Sequence, residues 1–399
     1  MPENTANLLP DVNLSAPTRA GHAEVVELRR EFHKMPEIGL EEYKTADLIE
    51  QKLKTLGIDS KRVTETGLSA MIDTGAEGPT LMLRADIDAL PVTEEAAHDY
   101  VSEIPGMMHA CGHDTHVAML LGIARRFKAE GVEKGRIKLN FQPGEEGRHG
   151  AEGMIAGGIM EDPKVDYAYA QHIWANGPMG TIQIEGGPIM AAVDTVHLKV
   201  IGKGTHAAMP EGGHDPIVAS AQIVTALQTI VTRNVNPINP AVVTVATING
   251  GTAHNVIPEE VNMTMSVRVF DENEHKTIER RIKEIAGGIA QAMGCRAEIE
   301  YIHEHQATDN DPGVAQIVYE EACEIVGKEN VIPEQRTMGA EDFSDYLKLV
   351  PGAFAFIGAR NEAKDCVYPH HHPKFNVDED AFAIGSELMY RVSQRLLSK

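Results

Sequence analysis

The feature that most limits the fold of this 399-residue chain is a run of six elements in the order β-α-β-β-α-β, set inside a longer alternation of helices and strands. "DTVHLKVIG" reads as a strand, "DPIVASAQIVTALQTIVTRNV" as a helix, and "AVVTVATING" and "EVNMTMSVRVF" as two strands. "EHKTIERRIKEIAGGIAQAMG" then reads as a helix and "RAEIEYIHE" as a closing strand. Period-2 and period-3.6 apolar patterns separate the two kinds of element. This order is that of a ferredoxin-like sandwich of roughly 110 residues.

On either side the texture differs. "AEVVELRREFHKM" and "EEYKTADLIEQKLKTLG" carry apolar residues at helical spacing, while "PTLMLRADI" and "GRIKLNFQPG" are short apolar runs entering polar or glycine-rich turns. Such runs belong to strands buried on both faces of an α/β sheet. A chain of this length also exceeds one ordinary core. The expected fold class is therefore α/β: a larger discontinuous domain over residues 20–193 and 308–399, with an inserted ferredoxin-like α+β domain over 194–307.

The formal charge of −23 argues against nucleic acid as a partner, because phosphate binding needs a surplus of Lys and Arg on one face. No stretch approaches the roughly 20 apolar residues of a membrane span, and the N-terminus lacks a basic start followed by an apolar run. The expectation is a cytoplasmic protein with about 20 loosely ordered leading residues. Four cysteines, Cys111, Cys295, Cys323 and Cys366, are too unevenly spaced for a disulfide framework.

In α/β sheets, ligands sit where strands end and loops begin. The polar clusters "RADIDALPV", "QPGEEG" and "QHIWANG" fall at those places. "HACGHDTH" puts three histidines beside Cys111 and ahead of an apolar helical run, and a helix N-terminus favours thiolate over thiol. Each segment has an ordinary alternative. The histidine-rich loop can be a hydrogen-bonded polar loop, Glu145 and Glu146 a solvated acidic turn, His172 a packed core residue, and "YPHHHPKF" a surface turn. Together they offer thiolate, imidazole and carboxylate donors from four segments, a mixture that zinc and related metals accept.

The segments "RREFHKMPEIGLEE", "LRADIDALPV", "MHACGHDTH", "FQPGEEG", "GKGTHAAMP", "GGTAHNVIP", "MGAEDFS" and "HHHPKF" follow one another along nearly the whole chain beyond residue 28. In that order they resemble the zinc aminoacylase and carboxypeptidase family, within it the amidohydrolase branch of hippurate and auxin-conjugate hydrolases. The resemblance implies that Cys111, His113, Glu146, His172 and His371 hold two divalent metal ions, zinc or manganese with cobalt or nickel as alternatives, and that Cys111 bridges them. His371 is taken over His370 and His372 for its place two residues before Pro373. Glu145 becomes the general base.

Asp86 and Asp88 occupy the slot where other branches carry a histidine and an aspartate, so Asp88 is expected to orient a metal-binding histidine; the alternative is an aspartate that starts a turn. In the inserted domain the resemblance implies that His206 stabilises the developing oxyanion, often from the partner subunit. It also makes Asn255 and Arg268 clamps for a substrate carboxylate, and Gly339 a further backbone N–H. Pattern alone makes Arg268 a solvent-facing residue of an alternating strand.

The function implied is hydrolysis of N-acyl-amino acids to a carboxylic acid and a free amino acid by a homodimer or higher oligomer. The alternative is a dipeptidase or carboxypeptidase of the same family. A thiol hydrolase using Cys111 with a nearby histidine base, and a binding protein without activity, are the rivals from other classes. The first leaves the Glu145–Glu146 pair and the distant histidines unexplained; the second does not account for the full ligand set.

Overall fold

The computed structural model describes residue 9 and residues 11–73, 75–333 and 336–399. They form two compact units, one of residues 1–187, 309–335 and 342–399, the other of residues 188–308 and 336–341. In chain order the elements begin with α1 (Ala16–His33), α2 (Tyr43–Thr55), β1 (Ser60–Arg62), β2 (Leu68–Asp73), β3 (Thr80–Asp86), α3 (His113–Glu130), β4 (Arg136–Gln142) and α4 (Gly150–Ala156). There follow β5 (Tyr167–Pro178), β6 (Ile182–Gln183), β7 (Gly187–Met190), β8 (Ala192–Ile201), β9 (Thr205–His206), α5 (Pro216–Arg233), β10 (Ala241–Gly250), β11 (Val256–Ile257) and β12 (Glu260–Val269). The last are α6 (Glu272–Ala292), β13 (Arg296–His305), β14 (Thr308–Asn310), α7 (Pro312–Val326), β15 (Val331–Ile332), α8 (Ser344–Leu347), β16 (Gly352–Arg360) and α9 (Ala381–Leu397).

The expected loose leader of about 20 residues is corrected by α1. Residues 1–8 and 10 lie outside the described residues, but the helix starts at Ala16, with a proline in its first turn as helix starts favour. Asn13 N donates to Ile325 O at 2.8 Å and Ser15 Oγ to Glu387 Oε2 at 2.6 Å. The apolar periodicity begins only further along, at Val25 and Leu28. The segment leading into α1 is therefore held by these polar contacts together with Leu14, which is buried in the core with Val12 packed against it.

In the first unit the sheet order is β1-β2-β4-β3-β5-β16-β6-β15. Its centre is parallel: β3 pairs with β4 and β5, and β16 with β5. Every residue of β3 is buried, and so is β16 from Gly352 to Ala359, as expected of strands covered on both faces. Leu83, Phe141, Tyr169 and Ile357 are all fully buried in its core. Truncating a phenylalanine so placed to alanine costs about 3–5 kcal/mol. The carboxyl ends of β3 and β4 and the start of α3 bring the polar clusters together. His172 does not end its strand; β5 continues through Trp174, opposite Gly358, to Pro178.

The second unit contains β8-α5-β10-β12-α6-β13, with an antiparallel sheet ordered β10-β12-β8-β13. This is the ferredoxin-like arrangement that the element order predicts. Val196, Leu198 and Val200 alternate with more exposed residues along β8 and pack with Ile223 and Leu227 of α5 and Ile278 and Ile282 of α6. Asp215 and Asp271 cap the two helices, each accepting two backbone N–H bonds.

Candidate metal centre

Cys111 and His113 flank Gly112, whose φ of +95° is left-handed and favours glycine. A Cβ there would also lie 2.6 Å from Ile173 Cγ2. This turn sets Cys111 just ahead of α3 and His113 at its first residue.

Two triads result. The ligand atoms of Cys111, His113 and His172 all lie within 4.8 Å of one another, and so do those of Cys111, Glu146 and His371. Cys111 Sγ is 3.4 Å from His172 Nε2, and His371 Nε2 is 3.1 Å from Glu146 Oε1. The five residues named from the sequence are thus brought together as two sets that share one sulfur. Glu145 faces the same space, its Oε2 4.0 Å from His113 Nε2.

The surroundings fix these side chains. Asp88 is buried; its Oδ1 accepts from His113 Nδ1 at 3.0 Å, and its Oδ2 from Glu146 N at 3.0 Å. Nδ1 of His113 is occupied in this way, which aims Nε2 at the centre. Asp86 Oδ1 accepts from His116 Nδ1 at 2.5 Å, while His116 Nε2 accepts from Ile173 N, so both nitrogens of His116 are engaged. Arg84 bridges Asp86 and Asp342 through contacts of 2.6 and 2.8 Å. Glu42 Oε1 accepts from Gly144 N at 2.8 Å and holds the turn that carries Glu145 and Glu146.

Of the three successive histidines, His370 is half-buried and held by polar contacts: Nδ1 is 3.1 Å from Cys111 O, and Nε2 accepts from Ala175 N at 3.0 Å. His372 stacks on Tyr368 and accepts from Lys374 N. His371, with a φ of +67°, turns toward Glu146.

Electrostatics favour a cation here. Burial opposes a charge on His113, but the carboxylates of Asp86, Asp88 and Glu146 outweigh it and raise its pKa to about 10. Burial, then the Glu146 and Glu145 charges, push the Cys111 thiol well above its usual range. Burial and the neighbouring His116 push His172 well below its own.

The residues fit divalent metal ions. His113 Nε2, which belongs to the first triad, is buried with no hydrogen-bond partner. Buried polar atoms are rarely left so without a ligand. Asp86, Arg84, His116, Asp342 and Glu42 support the site but were not singled out as supports from sequence. All five stood inside quoted motifs, and only the fold shows what they touch.

In the second unit, His206 of β9 pairs with Val256 of β11, and Ala207 N bonds Asn255 O at 3.0 Å, so His206 and Asn255 are neighbours on exposed chain. Arg268 of β12 donates to Ser266 Oγ at 3.4 Å and to Met338 O at 3.3 Å, beside Gly339. Burial lowers its pKa, so its surroundings offer a guanidinium less than full solvation. Gly339 N donates to Thr337 Oγ1 at 3.2 Å.

A family model described as Peptidase family M20/M25/M40 matches residues 82–395. The thermostable carboxypeptidase 2 of Saccharolobus solfataricus is 38% identical over 368 residues, covering 91% of this chain and 92% of its own. The N-acetyl-L-cysteine deacetylase of Bacillus subtilis is 38% identical over 376 residues, covering 94% and 88%. The IAA-amino acid hydrolase ILR1-like 4 of Arabidopsis thaliana is 35% identical over 379 residues, covering 94% and 86%. Among solved structures, the Bacillus subtilis YXEP protein, a dinuclear metal-binding peptidase, superposes with a TM-score of 0.84 at 30% identity, covering 95% of this chain and 99% of its own.

Proposed function

This chain belongs to peptidase family M20/M25/M40 and is a metal-dependent amide hydrolase, and on that premise we propose that it cleaves N-acyl-amino acids to a carboxylic acid and a free amino acid. The observation that carries this reading is the pair of triads sharing Cys111, with Glu145 beside them.

Cys111, His113 and His172 would hold one ion, and Cys111, Glu146 and His371 the other. Divalent ions held there supply Lewis acidity toward the amide carbonyl and make water acidic enough to lose a proton near neutral pH. Glu145 accepts the proton from the attacking water as its oxygen bonds to the carbonyl carbon. When the carbon–nitrogen bond breaks, Glu145 delivers that proton to the departing amine. Asp88 keeps His113 and the Glu146 backbone in place throughout.

In this reading His206, supplied by a partner subunit, donates to the oxyanion. Arg268 and Asn255 take the substrate carboxylate, and the Gly339 segment lies beside Arg268 as part of that clamp. The second unit serves as the dimerisation domain. Support for a partner there comes from α5, which has no charged residue before Arg233 and exposes Ile217 (45%) and Val218 (50%), and from the edge strand β10, which exposes Ile248 (53%). Uncharged apolar surface beside a free strand edge suits a second copy in a chain of charge −23.

The test is a panel of N-acetyl, N-benzoyl and indole-acyl amino acids set against dipeptides, run with wild type and Glu145→Gln of measured metal content. The reading requires acyl-amino acids to be the better substrates. It also requires Glu145→Gln to keep its metal while losing about 10²–10⁴-fold in turnover. Preference for dipeptides would transfer the chain to the peptidase reading, and near-normal turnover by Glu145→Gln would remove Glu145 as base.

A further inference from the structure

We propose that the second unit carries a metal site of its own, formed by Asp194 of β8, His275 of α6 and His303 of β13, which takes a zinc-class ion and clasps α6 to the sheet. None of these residues belongs to the candidate centre of the first unit. Asp194 is 1% exposed and stands in the buried row of β8 that continues as Val196, Leu198 and Val200. A carboxylate in an apolar layer is costly unless fully compensated. Here Oδ2 receives His275 Nε2 at 2.5 Å and Tyr301 OH at 2.6 Å, and Oδ1 receives His303 Nδ1 at 2.9 Å.

Two imidazoles from different elements thus converge on one carboxylate, and the three ligand atoms lie within 4.8 Å of one another. An ion with bonds of about 2.0–2.2 Å to nitrogen and oxygen spans such a set, and two imidazoles with a carboxylate are an established zinc donor combination. A second observation points the same way. The far nitrogen of His303, Nε2, has Glu279 Oε2 3.5 Å away, a carboxylate behind an imidazole, which is how zinc-binding histidines are commonly backed. Glu279 sits one turn along α6 from His275 and also pairs with Lys283. The ladder between β13 and β8 is irregular between His303 and His305 while His303 stays opposite Asp194. Irregularities of this kind recur where a strand aims a side chain at a site. His303 is 54% exposed, which leaves an entry path and room for a water as fourth ligand.

Binding needs no net loss of protons. The hydrogen on His303 Nδ1 moves to Nε2, toward Glu279, and that on His275 Nε2 moves to Nδ1, as the ion takes their places against Asp194. Asp194 keeps its bond from Tyr301.

Zinc counting on the whole, metal-loaded enzyme tests this. Wild type, His303→Gln and the double variant His275→Ala/His303→Ala are equilibrated at one fixed micromolar free zinc concentration, and bound zinc per chain is measured by elemental analysis. The expected result is one zinc fewer in the double variant, and a weakened fraction of that zinc in His303→Gln, whose side chain is half exposed and so can be replaced without disturbing the core. Hydrolysis rates should be unchanged in both. Equal zinc counts in all three proteins would overturn the site and leave a hydrogen-bonded clasp. The count is independent of the amide-hydrolase reading, because Glu146→Ala should lose metal from the first unit and keep this ion.

Discussion

The Asp88 carboxylate binds His113 Nδ1 through one oxygen and the Glu146 backbone N–H through the other, both at 3.0 Å. One buried side chain therefore fixes a residue of each triad. Removing it should cost metal affinity even though it touches no ion. Asp88→Ala is expected to weaken binding about 10–100-fold. Asp88→Asn should lose less, since its amide oxygen can still accept from His113 but its NH₂ cannot accept from Glu146 N. Metal titration of the three proteins checks the order.

His370 and His371 are neighbours with opposite expected roles. His371→Ala and Glu146→Ala should each lower metal occupancy while leaving the melting temperature of the metal-free protein close to wild type. His370→Ala orphans Ala175 N, whose partner is His370 Nε2, and should destabilise the metal-free protein by about 1–3 kcal/mol. A His371→Ala variant with full metal content would exclude His371 from the site.

Acid stability should depend on Glu94. Burial pushes its carboxyl up, but hydrogen bonds from His33 and His98 outweigh this and bring it down to about 2 from 4.5. A depressed carboxyl contributes stability above its unfolded pKa and loses it as pH falls through the folded one. The melting-temperature gap between wild type and Glu94→Gln should therefore be full above about pH 4.5 and shrink toward pH 2. A gap that widened on acidification would contradict the assignment.

The sequence made the inserted unit legible because its strands alternate and its helices are strongly periodic, as in β8 with Val196, Leu198 and Val200. The candidate ligands Cys111, His113, Glu146, His172 and His371 were named through the resemblance to a known family, and the fold brings their ligand atoms together. What stayed hidden was held by polar contacts across long separations. The start of α1 rests on Ser15 meeting Glu387, and the Glu145–Glu146 turn on Glu42 meeting Gly144. Neither leaves a periodic trace. The length of β5 beyond His172 was also missed, because "ANG" reads as a turn until its pairing with β16 is seen.

The trans role proposed for His206 can be read by mixing inactive His206→Ala with inactive Glu145→Gln subunits, with exchange confirmed by tagged copurification. If His206 serves the partner's site, a mixed dimer carries both defects in one site and none in the other, and up to half the activity per dimer returns. If His206 serves its own chain, no activity returns. A monomeric protein with full activity would refute the dimer and the trans role together.

The central claim is that hydrolysis by this chain requires metal held by the triads that share Cys111. The most direct measurement is the rate of N-acyl-amino acid hydrolysis after dialysis against a chelator, with metal content determined by elemental analysis on the same sample. Activity should fall with metal content and return when Zn²⁺, Mn²⁺, Co²⁺ or Ni²⁺ is restored. Full activity in a sample shown to be free of metal would contradict it.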